Sequence, residues 1–391
     1  MSSAPTPALS PQDIDKARQQ VMTGDFFALC YLMLCQLGYT DENNGGKAVA
    51  QITTLLPTMP VPSGTVPGKW QLGWGPEVTP DNSNLMYAAE FVAGNGTPVF
   101  SVIVIRGTDT QAKPSGIVVQ LIEDISASTQ VPFPAGDTTG SKIALGTKIG
   151  LDILNSFKDS TGRTVKQYAT AFANAVTGAP IVVTGHSLGG CQTTVMAMDL
   201  SSAVPASSKI VPNSFAAPTA GNQAFINLYQ QKFPFSPRWF NTFDLVPMAF
   251  AGLDPMKQLW KQCNRPAPEG FKLILDAFEV LLSFFHISYA QQPSSSNREM
   301  NGVCQPPSAA AASRVSPNQI AAEIMQSLRN IAPHLNIHIP LPDILFGGII
   351  EWVKELLFQH LILTGYWDAV KNSNGVAEIP NPFTLAAAAP A

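Results

Sequence analysis

Gly185-His186-Ser187-Leu188-Gly189-Gly190 is the stretch of this chain best suited to chemistry. A serine hydroxyl is a weak nucleophile until a neighbouring base takes its proton and the backbone presents it clear of the chain. Here Pro180-Ile181-Val182-Val183-Thr184 enters the motif as a β-prone segment, and a helical pattern follows from Leu188 to about Ala203. Strand, sharp turn and helix in that order lift one hydroxyl above the carboxyl edge of a parallel sheet. Small residues at 185 and 189 let the turn close, because a Cβ there collides with the adjoining strand and helix. The helix that starts just after Ser187 aims unpaired N–H groups and a positive dipole end at any oxyanion forming there. A bare G-x-S-x-G also arises by accident. The strand before it and the helix after it single this one out, and Ser187 is the candidate nucleophile.

A serine nucleophile needs a base for its proton and a group to orient that base. His186 cannot be the base, since the turn points its side chain away from the hydroxyl beside it. His286, His334, His338 and His360 remain, and the chain order Ser, Asp, His leaves all four open. Among carboxylates, Asp244 ends a strand pattern just before Leu245-Val246-Pro247, a place where a turn-capping aspartate is also common. Asp254 is a reserve. Asp199 lies three turns along the helix after the serine, too far from the turn.

The elements that must position these groups read as an α/β chain. At 391 residues, with 45% hydrophobic and 13% charged residues, the chain has to fold around a large core. A net charge of −4 argues against a nucleic-acid partner. Five cysteines, at 30, 35, 191, 263 and 304, show no C-x-x-C spacing, so no metal site and no cofactor are expected. Cys191 reads as a small buried hydrophobe, and whether Cys263 and Cys304 pair is left open. No apolar run reaches spanning length, and the first residues lack the basic and apolar regions of an ordinary secretory signal, which leaves the compartment open.

In chain order, Ser10-Pro11 caps one long helix to about Leu37, stopped by Gly38, and a second helix covers residues 45–56. Strands are expected at 69–74, 85–93 and 98–106, the last two joined by a Gly94-Asn95-Gly96 turn. Helices follow at 117–128, 141–158 and 164–176, then the strand into Ser187 and its helix. A strand at 209–216, a helix at 223–232 and a strand at 238–243 continue the alternation, which points to a mostly parallel sheet with helices on both faces. After 250 the pattern changes to an apolar helix at 271–289, a Ser/Pro/Ala-rich loop at 291–316, and helices at 319–331 and 343–363. Residues 1–10 and 386–391 read as loose ends. The expected organisation is a single domain over 1–391: a helical extension (1–66), a core (67–250), an insertion that is a candidate cap (251–342), and a C-terminal helical segment (343–385).

Several blocks together resemble the class 3 lipases, the fungal-type triacylglycerol lipases and their bacterial and plant relatives. Ile105-Arg106-Gly107-Thr108 resembles the family's F-R-G-[ST] strand end. Leu121-Ile122-Glu123-Asp124-Ile125 is similar to its W-x-x-D-L segment, with leucine for tryptophan. Residues 183–190 match its serine block nearly letter for letter. Phe215-Ala216-Ala217-Pro218 with Gly221-Asn222-Gln223-Ala224-Phe225, and Phe243-Asp244-Leu245-Val246-Pro247, resemble two further blocks. Gln359-His360 through Tyr366 resembles the C-terminal histidine segment. The family's V-H-x-G-F run is missing, with Ile143-Ala144-Leu145-Gly146-Thr147 in its place.

The resemblance implies an α/β-hydrolase fold and a Ser187, His360, Asp244 triad. It also implies oxyanion donors at the backbone N–H of Leu188 and at Thr108, with Arg106 and Asp109 holding that loop. It implies cleavage of acylglycerols through an acyl-enzyme, with transient contact to a lipid interface. Phospholipase A1 or soluble short-chain esterase activity is the alternative, and a non-catalytic lipid-binding scaffold is a different class. A haloperoxidase or thioesterase use of the triad has nothing in the sequence to favour it. The family's lid position falls at about residues 117–125, and the helix near 271–285 is a second candidate.

Overall fold

The computed structural model describes residues 9–39, 45–107, 129–134, 137–306, 322, 326 and 347–383. Expectations for the arm at 1–8, the helix at 117–128 with its lid role, the helix at 319–331 beyond residues 322 and 326, and the tail at 386–391 lie outside these residues.

The N-terminal helical stretch is two helices, not one. Helix α1 spans Pro11–Met22 and opens on a capping box in which the Ser10 hydroxyl accepts from the Asp13 N–H while the Asp13 carboxylate accepts from the Ser10 N–H. The chain then turns at Gly24, whose φ is +75°, and α2 runs over Ala28–Leu37. The continuous apolar pattern hid that break, because both helices bury apolar residues in one core. Helix α3 is Gly45–Leu55.

Strands β1 (Gly68–Val78), β2 (Leu85–Ala93) and β3 (Pro98–Ile105) form an antiparallel meander. The β2–β3 hairpin turns at Gly96, with φ of +86°. A small side ribbon pairs β4 (Gln130–Pro132) with β5 (Lys142–Ala144). Helix α4, Leu145–Ser156, follows, so the first residues of the expected 141–158 helix are strand instead. Helix α5 (Val165–Ala175) is capped by Thr164.

From there the sheet is parallel: β6 (Pro180–His186), helix α6 (Leu188–Ala203), β7 (Lys209–Phe215), helix α7 (Gln223–Lys232) and β8 (Arg238–Asn241). Beyond residue 250 come α8 (Leu253–Gln258), α9 (Glu269–Phe284) and a seventh strand of the sheet, β9 (Asn297–Met300), which pairs in parallel with β8. That strand falls inside the stretch expected to be loop. Asn297-Arg298-Glu299-Met300 carries almost no apolar signal because it closes a sheet edge. Helices α10 (Ile349–His360) and α11 (Trp367–Lys371) end the described chain.

The seven-stranded order is β1-β2-β3-β6-β7-β8-β9. Side chains alternate along β3: Val102 and Val104 face a core built with α1, α2, α3 and α11, while Ile103 and Ile105 face one built with α4 to α7. A strand buried on both faces has to be apolar at every position, as β3 nearly is. A third core joins α8 and α9 to α10, with the Trp352 ring 4.7 Å from that of Phe271 and 5.4 Å from that of Trp260. Cys263 and Cys304 form a disulfide, whereas Cys30, Cys35 and Cys191 are buried thiols. Burial pushes the Cys35 thiol up to about 12, which keeps it protonated. Among the described residues no helix is long and apolar enough to cross a membrane.

Candidate functional site

Register brings the site together. Ile105 on β3 pairs with Gly185 on β6, and His186 pairs with Phe215 on β7, so three parallel strands release their chains at one edge. Ser187 is the turn residue between β6 and α6, with φ 61° and ψ −128°, a conformation L side chains rarely adopt. Its N–H donates to the Phe215 carbonyl at 3.0 Å. A Cβ at Gly185 would run into the Gly189 carbonyl, and one at Gly189 into the Ile105 carbonyl. That close crossing of strand and helix is what the two glycines permit.

The Ser187 hydroxyl donates to His360 Nε2 at 3.0 Å, and His360 Nδ1 donates to Asp244 Oδ2 at 2.8 Å. All three side chains are buried. His360 is the last residue of α10, and Asp244 lies in the turn after β8, where its Oδ1 accepts from the Val246 N–H. Arg238, buried within β8, ties that turn down by donating to the Pro247 carbonyl at 2.8 Å. Burial away from water lowers this guanidinium to about 10, and it stays charged.

Of the other candidates, His286 follows α9 in an exposed position with φ of +53°, and His334 and His338 lie outside the described residues. Asp254 is exposed and paired with Lys257 at 2.8 Å, while Asp199 accepts from Asn155 and Lys166. Leu188 is the first residue of α6, directly after the hydroxyl. Thr108 and Asp109 lie outside the described residues. Their neighbour Gly107 stands beside Ser187, since a Cβ on it would sit 3.0 Å from Ser187 Cβ. Arg106 donates to Asn82 Oδ1 at 3.1 Å and to the Asn82 carbonyl, which fixes the end of β3. No group of metal-ligating side chains occurs among the described residues.

Several supporting residues carried little signal. Tyr39, just past α2, accepts from the Gly107 N–H at 3.0 Å and lies 3.3 Å from the His186 carbonyl. His186 Nε2 donates to the His360 carbonyl at 3.0 Å, so the residue rejected as base fixes the backbone of the residue favoured as base. Burial holds the His186 imidazole well below its ordinary value, with His360 nearby adding to the effect, so it is neutral. Gln359 and Asn241 meet behind Asp244 and His360, where the Asn241 amide donates to Gln359 Oε1 at 2.6 Å. Tyr39 had no sequence signal. Glu355 and Gln359 had a faint one, as an i, i+4 polar pair on α10.

The family model described as Lipase (class 3) matches residues 102–253. No curated protein sequence matches the chain. Among solved structures, the crystal structure of M37 lipase aligns with a TM-score of 0.59 at 21% identity, over 86% of this chain and 99% of that one. Lipase II from Rhizopus niveus aligns with a TM-score of 0.39 at 17% identity, over 62% and 76% of the two chains. The native Rhizomucor miehei lipase propeptide complex gives a TM-score of 0.38 at 18% identity, over 62% and 65%. The M37 likeness bears on fold, and it agrees with the mostly parallel sheet described above. Over residues 102–253 the chain is similar to the class 3 lipases, and its mostly parallel sheet flanked by helices agrees with an α/β-hydrolase fold.

Proposed function

We propose that the protein cleaves carboxylic esters through an acyl-enzyme, with acylglycerols as substrates, using Ser187 as nucleophile, His360 as general base and acid, and Asp244 to orient the imidazole. The observation that carries this reading is the continuous hydrogen-bonded row from Ser187 Oγ through His360 to Asp244 Oδ2. As Oγ attacks the ester carbonyl, its proton passes to His360 Nε2. The imidazolium then forms next to the Asp244 carboxylate, and the proton is handed to the departing alcohol. Water repeats the sequence on the acyl-enzyme. The negative oxygen of each tetrahedral intermediate meets the Leu188 N–H at the head of α6, with Thr108 as the second donor the family pattern supplies. Each such donor contributes about 3 kcal/mol to the transition state. Residues 251–342 act as an insertion within the single hydrolase unit.

Side-by-side hydrolysis of an emulsified triacylglycerol, a phospholipid and a soluble short-chain ester tests the substrate class. Triacylglycerol cleavage that disappears in Ser187→Ala supports the reading. Activity confined to short soluble esters replaces lipase with esterase, preference for the phospholipid replaces it with phospholipase, and activity surviving in Ser187→Ala removes the mechanism.

A further inference from the structure

The acid and the base of the site come from opposite sides of the insertion, Asp244 before it and His360 after it. A buried polar relay joins them from behind. Glu355, fully buried and little more than one turn before His360 on α10, accepts from Gln359 Nε2 at 2.6 Å, from the Gln305 N–H at 3.0 Å, and from Arg265 Nη1. Gln359 also donates to the Val303 carbonyl at 2.6 Å and accepts from Asn241 Nδ2 at 2.6 Å. Asn241 in turn accepts from the Phe243 N–H at 2.9 Å, and its own N–H donates to the Tyr366 hydroxyl at 3.3 Å.

The far end of the relay is the disulfide. Arg265 stands two residues after Cys263 and Gln305 one residue after Cys304, and Arg265 donates to the Gln305 carbonyl at 3.3 Å. Trp260, three residues before Cys263, donates from its indole to the Phe243 carbonyl at 2.7 Å, beside Asp244. A carboxylate withdrawn from water this completely is costly to keep unless charge and hydrogen bonds meet it, and here the Gln359, Gln305 and Arg265 donors do. An apolar residue at 355 would pack against the neighbouring Trp352 core with no such demand. What the carboxylate adds is fixed geometry.

We propose that Glu355 and Gln359 are positioning residues, and that the disulfide-closed segment from 263 to 305 is a brace that sets the distance between Asp244 and His360. The inference rests on the triad reading above. It makes this part of the insertion a fixed back wall of the site rather than a cover that lifts away. Cys304 is exposed, so the brace is open to reduction in the folded enzyme.

The test uses the full-length enzyme, oxidised or treated with a phosphine that becomes its oxide as the bridge becomes two thiols, in wild-type, Gln359→Met and Glu355→Gln forms. The readout is kcat and KM on a soluble ester per active site titrated with a phosphonate. Misplacing reacting groups by about 1 Å costs up to about 100-fold, so kcat of Gln359→Met should fall about 10- to 100-fold with KM unchanged. Reduction should lower kcat of the wild type and add nothing to the loss in Gln359→Met, because the two changes cut one connection. The His360 Nδ1 proton, followed by NMR without substrate, should exchange with water faster in both variants. Full kcat per titrated site in Gln359→Met, additive losses, or an unchanged proton lifetime each overturn the brace. A wild-type protein inert toward every ester overturns the functional reading instead, and the proton lifetime still decides the brace.

Discussion

Tyr366 donates its hydroxyl proton to Asp244 Oδ2 at 2.7 Å, the same oxygen that accepts from His360 Nδ1 at 2.8 Å. Burial and the facing carboxylate hold the phenol well above its ordinary value, so it remains a donor throughout the working pH range. Two donors on one oxygen fix where the carboxylate points, and through it the imidazole plane. A hydrogen bond to a charged group is worth roughly 1.5–3 kcal/mol. Tyr366→Phe should therefore lower kcat on a soluble ester about tenfold or more, with KM little changed. Unchanged kcat would make Tyr366 a packing residue only.

The turn at Ser187 makes a prediction that needs no substrate. Its φ of 61° with ψ of −128° suits glycine far better than any side chain. Such a conformation costs on the order of 1–3 kcal/mol, against which glycine gives back about 0.5–1 kcal/mol through its freer unfolded chain. Ser187→Gly and Ser187→Ala should both be inactive, with the glycine form melting higher. Equal melting temperatures would mean that the turn is held without strain.

Strong local patterns made most of this arrangement legible in advance. The eight residues from 183 to 190 specify strand, turn and helix through period, small residues and apolar content, all of which are local. Asp244 and His360 were reachable because each sits in a recognisable block. Their supports were not. Tyr39 reaches Gly107 across 68 residues, and Gln359 reaches Asn241 across 118, and no spacing rule announces contacts of that range. Strand β9 failed for a related reason: an edge strand of Asn, Arg, Glu and Met is specified by its neighbour β8, not by its own propensity. The α1–α2 break was hidden because both helices are apolar on the face that matters.

His186 gives the stability a pH dependence of known sign. Its imidazole is held neutral in the folded chain, well below the ordinary value of 6.5, mainly by burial. In the unfolded chain it titrates normally, at about 6.5. Below that pH the unfolded state binds a proton the folded state refuses, so stability rises with pH up to about 6.5 and is lost as pH falls toward the folded value. Melting temperatures measured from pH 7.5 down to 5 should show this loss. In His186→Gln, which retains a donor for the His360 carbonyl, the slope attributable to this group should vanish. Parallel curves for the two proteins would assign the acid sensitivity elsewhere.

Helix α9 presents an outer apolar stripe that the rest of the fold leaves in water. Its inner residues Phe271, Ile274, Leu275, Phe278 and Leu282 pack into the core shared with α8 and α10, while Val280 is 69% and Phe284 75% exposed, with Leu273 and Phe285 beside them. The acidic residues along it are paired, Lys257 on α8 meeting Asp276 at 2.6 Å and Glu279 at 2.8 Å. If the stripe meets a lipid surface, each phenylalanine transferred out of water contributes up to about 2 kcal/mol. Replacing Phe284 and Phe285 together by serine should then weaken binding to neutral lipid emulsions at least about tenfold. Activity on a soluble ester should be unaffected, because neither side chain touches Ser187, His360 or Asp244. Parallel loss on both substrates would point to unfolding of α9, which circular dichroism would reveal, and equal emulsion binding would remove the stripe from any role at the interface.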